Sequence, residues 1–323
     1  TGQDGIWQFQ EIVGHSGGAY VQCTGSWQQE KGKKGSLLLN VTATDVPLDT
    51  SLREAITQMN PRTGRAWEGL QPQGTLDRLT VQLRHPGPNG KPEIAIQGQK
   101  LPRQVYATDP GLMVKPKWFP YRVDRVTGMF NYHNGQVGLT GMRGRHGKSV
   151  IQLDGTCFFP ADSPWDVKLT NLTVDHLLAD HELLVALPGP LRRSLEKLNV
   201  TGPMMLRGQL QMAQAPEQDR ELNAQWDMNV EVAGATIQGG LELNHIHGGV
   251  RMFGLYDQNG FRSRGELDVD SLYFRKEQLT HLQGPFWIDS RQVLFGAWSQ
   301  QQQAKLKKPR NLTAKSLGGR IVL

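Results

Sequence analysis

Apolar and polar residues alternate with a period of two through much of this chain. Between Ala19 and Gly25, Val21 and Cys23 fall on one side and Gln22 and Thr24 on the other; between Ser149 and Gly155, Ile151 and Leu153 oppose Gln152 and Asp154. Successive strand residues point to opposite faces, so each stretch predicts a strand with one apolar side. The alternation returns at Leu79, Val81 and Leu83, and at Met204, Leu206, Leu210 and Met212. It gives way to helical spacing in two places. Asp49, Leu52, Ala55 and Ile56 share the pattern D-x-x-L-x-x-A-[I/L] with Asp180, Leu183, Ala186 and Leu187. The leading aspartate suits an N-cap and the apolar residues make one short amphipathic face. A break with proline or glycine follows each, and then a second short helical piece is expected.

These segments are copies of one another. Gly17, Val21, Gln22 and Gly25 match Gly147, Ile151, Gln152 and Gly155 at a separation of 130 residues. Downstream, Val41-Thr42 meets Leu169-Thr170, and Trp67 to Leu70 with Gly74 meets Leu195 to Leu198 with Gly202 at a separation of 128. The apolar side of the strand after the helices slips by one position between copies, which calls for a bulge or a gap. A shorter echo links Gly135, Val137 and Gly141 to Gly248, Val250 and Gly254, in two segments expected to be hairpins. The chain is therefore expected to be mainly β and antiparallel, built from repeats of about 130 residues that stack edge to edge. Residues 1–130 form the first, with a helical insert near 49–70; residues 131–225 form the second, with an insert near 175–198; residues 226–323 form a third, partial repeat with a basic C-terminal end.

Gly14-His15-Ser16-Gly17-Gly18 fits G-x-S-x-G, the turn that exposes a nucleophilic serine in α/β-hydrolases. That turn must open a helix, whereas strand-like AYVQCTG follows here, and the second copy carries Gly144-Arg145-His146-Gly147 in its place. Only the glycine spacing recurs, so the motif reads as a hairpin turn. His245 and His247 would share one face of a strand as a metal pair, yet no third ligand lies nearby, and Asp268 and Asp270 read as the polar side of a strand opposite Leu267 and Val269. A carbohydrate-active reading would use Trp287 and Trp298 as sugar platforms and needs a carboxylate pair. No catalytic residue, metal or cofactor is expected.

Composition adds limits. The 323 residues include 37 glycines and a formal net charge of +6, with Lys305, Lys307, Lys308, Arg310, Lys315 and Arg320 crowded near the end. Without a stacking aromatic element beside them these read as a solvated tail, and no nucleic-acid partner is expected. No run of about 18 apolar residues exists to span a bilayer as a helix. The start at Thr1 and the end inside strand-like GGRIVL read as an excerpt of a longer protein. Two cysteines, Cys23 and Cys157, leave room for one bridge. N-x-T triplets at Asn40, Asn171, Asn199 and Asn311 are assigned no role.

The stretch VTGMFNYHNGQVGLTGMRGRHGKSVIQLDGTC, the inserts LDTSLREAI and DHELLVALPGPLRRSLEKL, each followed by glycine and new strands, and the ending NLTAKSLGGRIVL resemble the AsmA-like superfamily of diderm-bacterial envelope proteins, which includes the TamB group. The similarity runs over roughly residues 5 to 323 and rests on repeated texture. It implies an elongated, strongly curved antiparallel sheet, a β-groove with an apolar concave face that holds acyl chains. It further implies phospholipid transport or outer-membrane biogenesis, a location in the periplasm or cell envelope with the parent anchored in the inner membrane, and three kinds of partner: phospholipid acyl chains, neighbouring repeats of the parent chain and envelope membrane proteins. Val21, Leu79, Val81, Ile151, Leu153, Leu206 and Leu210 are the candidate groove residues. The competing reading is a structural or adhesive all-β cell-surface protein whose sheets close on themselves and carry no lipid.

Overall fold

The structure is a computed structural model that describes residues 2–3, 5–29, 35–59, 61–87, 90–102, 111–160, 164–214, 222–240, 242–289, 291–296 and 311–322. It is mainly β. In chain order the elements are β1 (Gly2–Gln3), β2 (Ile6–Ser16), β3 (Ala19–Gln28), β4 (Ser36–Pro47), α1 (Thr50–Met59), α2 (Pro61–Leu70), β5 (Thr75–His85), β6 (Glu93–Lys100), β7 (Leu112–Val114), β8 (Val123–His133), β9 (Gln136–His146) and β10 (Ser149–Phe158). Then follow β11 (Asp166–Leu177), α3 (His181–Ala186), α4 (Gly189–Leu198), β12 (Met204–Gln214), β13 (Leu222–Gln238), β14 (Glu242–Asp257), β15 (Gly260–Phe274), β16 (Glu277–Asp289), β17 (Val293–Phe295), β18 (Thr313–Ser316) and β19 (Gly319–Val322). Two compact units result: residues 1–118, 122–145 and 153–165 in the first, and 119–121, 146–152 and 166–323 in the second.

Within the first unit, β1 to β6 pair in sequence, and β8 takes both β6 and the short β7 before pairing with β9. In the second, β11 to β16 pair in sequence, then β16 takes both β17 and β18, and β18 pairs with β19. Every one of these ladders is antiparallel.

The repeat is carried into matching geometry. Asp49 accepts from the Leu52 amide at 2.9 Å, and Asp180 from the Leu183 amide at 2.8 Å, so both aspartates cap their helices as the pattern predicts. Gly74 and Gly202 have φ of 106° and 100°, a region that favours glycine. Each follows a residue in a two-bond backbone bridge, Gln73 with Met113 and Thr201 with Thr236. The copies differ in one register. The β4–β5 register runs without a break, whereas the β11–β12 register shifts between Leu169 and Leu172, where Asn171 takes φ 50°. One bulged residue moves the inward side from Val167 and Leu169 to Leu172 and Val174. Asn171 thus serves as a bulge residue, and Asn199 as the left-handed C-cap of α4.

One expectation is corrected, and one open question is settled. Gly135 sits in the Asn134–Gly135 hairpin turn, but Gly248 lies inside the continuous strand β14, paired with Val232 on one side and Val269 on the other. Cys23 and the buried Cys157 form no disulfide, so the one bridge they left room for is not made.

Candidate functional site

Side-chain alternation and antiparallel register sort the residues of each unit onto two chemically distinct faces. In the first unit, Cys23, Val41, Val81, Ile96, Tyr132 and Val137 stand opposite one another on successive strands, a continuous apolar row across β3, β4, β5, β6, β8 and β9. One residue along, the row is Gln22, Thr42, Thr80, Gln97 and Asn131, all polar and on the other face. The second unit repeats the device: Val174, Leu206, Val230, Val250 and Leu267 form one apolar row, while Arg207, Asn229, Arg251 and Glu266 form the polar row beside it. Cross-strand neighbours about 5 Å apart make such rows continuous surfaces.

All seven groove candidates fall on strands, in the positions that the alternation gave them. Val21 is half-buried in β3 and joins Ala43 and Leu79 in one row. Leu79 and Val81 in β5 are buried, as is Ile151 in β10, whose Leu153 is half-buried. Leu206 and Leu210 in β12 are half-buried; Leu210 opposes Trp226, and Trp226 opposes Gly254. The sequence reading missed Trp226, Met228, Val230, Val250 and Phe286 on the same face. Period-two spacing in β13 carried that signal, but the bulges of β14 interrupt it in the neighbouring strand.

Aromatic rings on the apolar faces lie over glycines of the next strand. A Cβ built on Gly98 would fall into the Phe130 ring, and one on Gly254 into Trp226, which stacks on Phe261 at 5.4 Å. Glycine leaves room for a ring to lie flat across the strand, so these faces are lined by ring and aliphatic surface.

The motifs considered for catalysis are placed as follows. Ser16 ends β2, Gly17 and Gly18 make the turn with φ of 56° and 93°, and β3 begins at Ala19, so the motif is a hairpin with the primed-turn conformation. His245 takes φ 50° in a bulge and lines one cavity together with His247; its ring lies edge-on to Tyr273 at 5.9 Å. Asp268 accepts from Gln283 Nε2 at 2.8 Å. Among the described residues no group of three His, Cys, Asp or Glu is placed to hold a metal ion. Trp287 is half-buried in β16, its Nε1 donating to Asp289 at 3.1 Å; Trp298, Lys305, Lys307, Lys308 and Arg310 lie outside the described residues. No helix among the described residues is long and apolar enough to cross a membrane.

One titratable cluster belongs to the second unit. Tyr121 and His146 have ring centroids 4.0 Å apart, and His146 Nε2 lies 3.6 Å from Asp180 and 3.7 Å from Glu182. Burial, and then the negative charge of Asp180, push the Tyr121 phenol up from 10 to about 12. The folded state therefore holds this proton more tightly than the unfolded chain. The corresponding stability is fully present below pH 10 and is lost as pH rises through about 12. A near-ultraviolet absorbance titration is expected to show one phenol ionising late, and Tyr121→Phe to remove that component.

No known protein family, curated protein or solved structure matches this chain.

Proposed function

We propose that this chain is a non-catalytic wall segment of an AsmA-like envelope protein, and that its apolar faces hold phospholipid acyl chains during transport or outer-membrane biogenesis. The observation that supports this reading is the unbroken apolar row across successive strands of each unit, backed by a polar row on the opposite face. An open sheet must cover such a face with something. In the second unit Leu206, Val230, Val250 and Leu267 remain half-buried, with surface left for a ligand. Acyl chains suit rows of aliphatic side chains because each buried methylene contributes about 0.8 kcal/mol without any directional partner. The envelope location and the inner-membrane anchor of the parent belong to the same proposal.

The test is native mass spectrometry with lipid extraction, on chain produced in a bacterial periplasm and purified without detergent. Bound phospholipid is expected, and Leu206→Asp with Val230→Asp is expected to remove it while circular dichroism stays unchanged. Both sites are half-buried, so an aspartate there reaches water at modest cost to folding. A well-folded, lipid-free monomer overturns the proposal in favour of a purely structural β protein.

A further inference from the structure

The two histidines of the H-x-H pair belong to a cavity whose lining suits an anion. Strict alternation along β14 would put Asn244 and Ile246 on one side and His245 and His247 on the other. The bulge at His245 breaks that order. Ile246 turns into the buried cluster with Ala235, Val269 and Leu272, while Asn244, His245 and His247 all line the cavity. Across the ladder Ser271 opposes His247 and Tyr273 opposes Asn244, on either side of the buried Leu272. Both line the cavity too, and Lys276 completes it from the turn between β15 and β16.

These side chains are a set of donors with a positive bias. The cavity measures about 690 Å³, and its His245, His247, Tyr273 and Lys276 are exposed, so a small ligand reaches them from solvent. Lysine brings a charge and three donors; each imidazole and each hydroxyl brings a donor of its own. None of the six lining residues is Asp or Glu, and among the described residues neither histidine nor Lys276 is in a salt bridge. The Glu242 carboxylate accepts from Asn244 Nδ2 at 3.0 Å and, like Glu277, is not part of the lining. A phosphoryl group presents acceptor oxygens in several directions, which suits donors that converge from two strands and a turn.

The backbone points the same way. Arg275 and Lys276 take φ of 47° and 75°, the left-handed pair of a primed hairpin turn, and His245 takes 50°. Glycine adopts this region more readily, yet long cationic or imidazole side chains stand at all three positions. Arg275 lies over the Phe274 ring at 5.4 Å, and Lys276 serves the cavity.

We propose that this cavity binds a phosphate group, with Lys276 as the counter-charge and His245, His247, Ser271 and Tyr273 as donors. Val232 packs on the buried cluster and shares a face with Val230, so the apolar row continues that cluster and the cavity lies on the opposite face. The inference therefore stands apart from the lipid reading and survives its failure.

The test follows the ring signals of His245 and His247 by NMR in chain carrying isotope-labelled histidine, as inorganic phosphate is added at constant ionic strength. Saturable shifts of both rings are expected, with none from chloride at the same ionic strength. Lys276→Gly is expected to weaken binding by about tenfold or more, because it removes the charged donor. Its urea midpoint is expected to stay or rise, since glycine takes φ 75° without strain. If that variant does not fold, His247→Gln, at an exposed strand position, takes its place and must weaken binding as well. Glycerol phosphate and vesicles of phosphatidylglycerol separate the sources: shifts with the first assign a free phosphate ester, and shifts with the second alone assign a lipid headgroup. Absence of saturation by inorganic phosphate, equal shifts with chloride, or unchanged affinity in the variant overturns the proposal.

Discussion

Gly265→Val is expected to destabilise the second unit by about 3 kcal/mol, read as a fall in the urea midpoint. A Cβ at this buried position would fall on the Arg251 carbonyl oxygen of β14 and lie 2.8 Å from Cε1 of Phe286. The first obstacle is backbone in a ladder, so relief requires β14 and β15 to part and lose hydrogen bonds. The second is a ring that is only 2% exposed and has nowhere to swing. Gly249→Ala is the matched control. It lies in the same strand pair, but its nearest neighbours stand 3.7 Å from the new Cβ, so its midpoint is expected to stay nearly unchanged. Equal losses at the two sites would show that lost glycine flexibility, and not the ring-over-glycine packing, controls the stability of this face.

Asp77→Ala is expected to cost about 3–5 kcal/mol, because it strands a buried cation. Lys100 Nζ lies 3.1 Å from Asp77 Oδ1, their side chains only 11% and 6% exposed, and the Leu101 amide donates to Asp77 Oδ2 at 2.7 Å. Removing the carboxylate leaves an ammonium and an amide without their acceptor in a place that water hardly reaches. Asp77→Leu combined with Lys100→Met is expected to recover most of the loss, since it removes both charges and keeps volume. A double-mutant cycle on denaturant midpoints checks this; additive losses would mean that the two groups act separately.

Much of the fold was legible because its rules are local. Asp49 and Asp180 announced helix starts through their side chains and the spacing of the next leucines, and both cap as expected. Val21, Leu79, Val81 and Ile151 were identified as inward by simple alternation. The pair Asp77 and Lys100 was not, because it joins residues 23 apart in sequence that meet only when β5 and β6 pair.

The sequence by itself determined the strands, their two-faced character, the capped helical pairs and the repeat, because alternation, capping and glycine turns act over a few residues. Only the tertiary structure decided which rows line up across strands, where each bulge resets the inward side, and which glycines receive a ring. Those properties depend on register, and register is fixed by the sum of many cross-strand contacts rather than by any one segment.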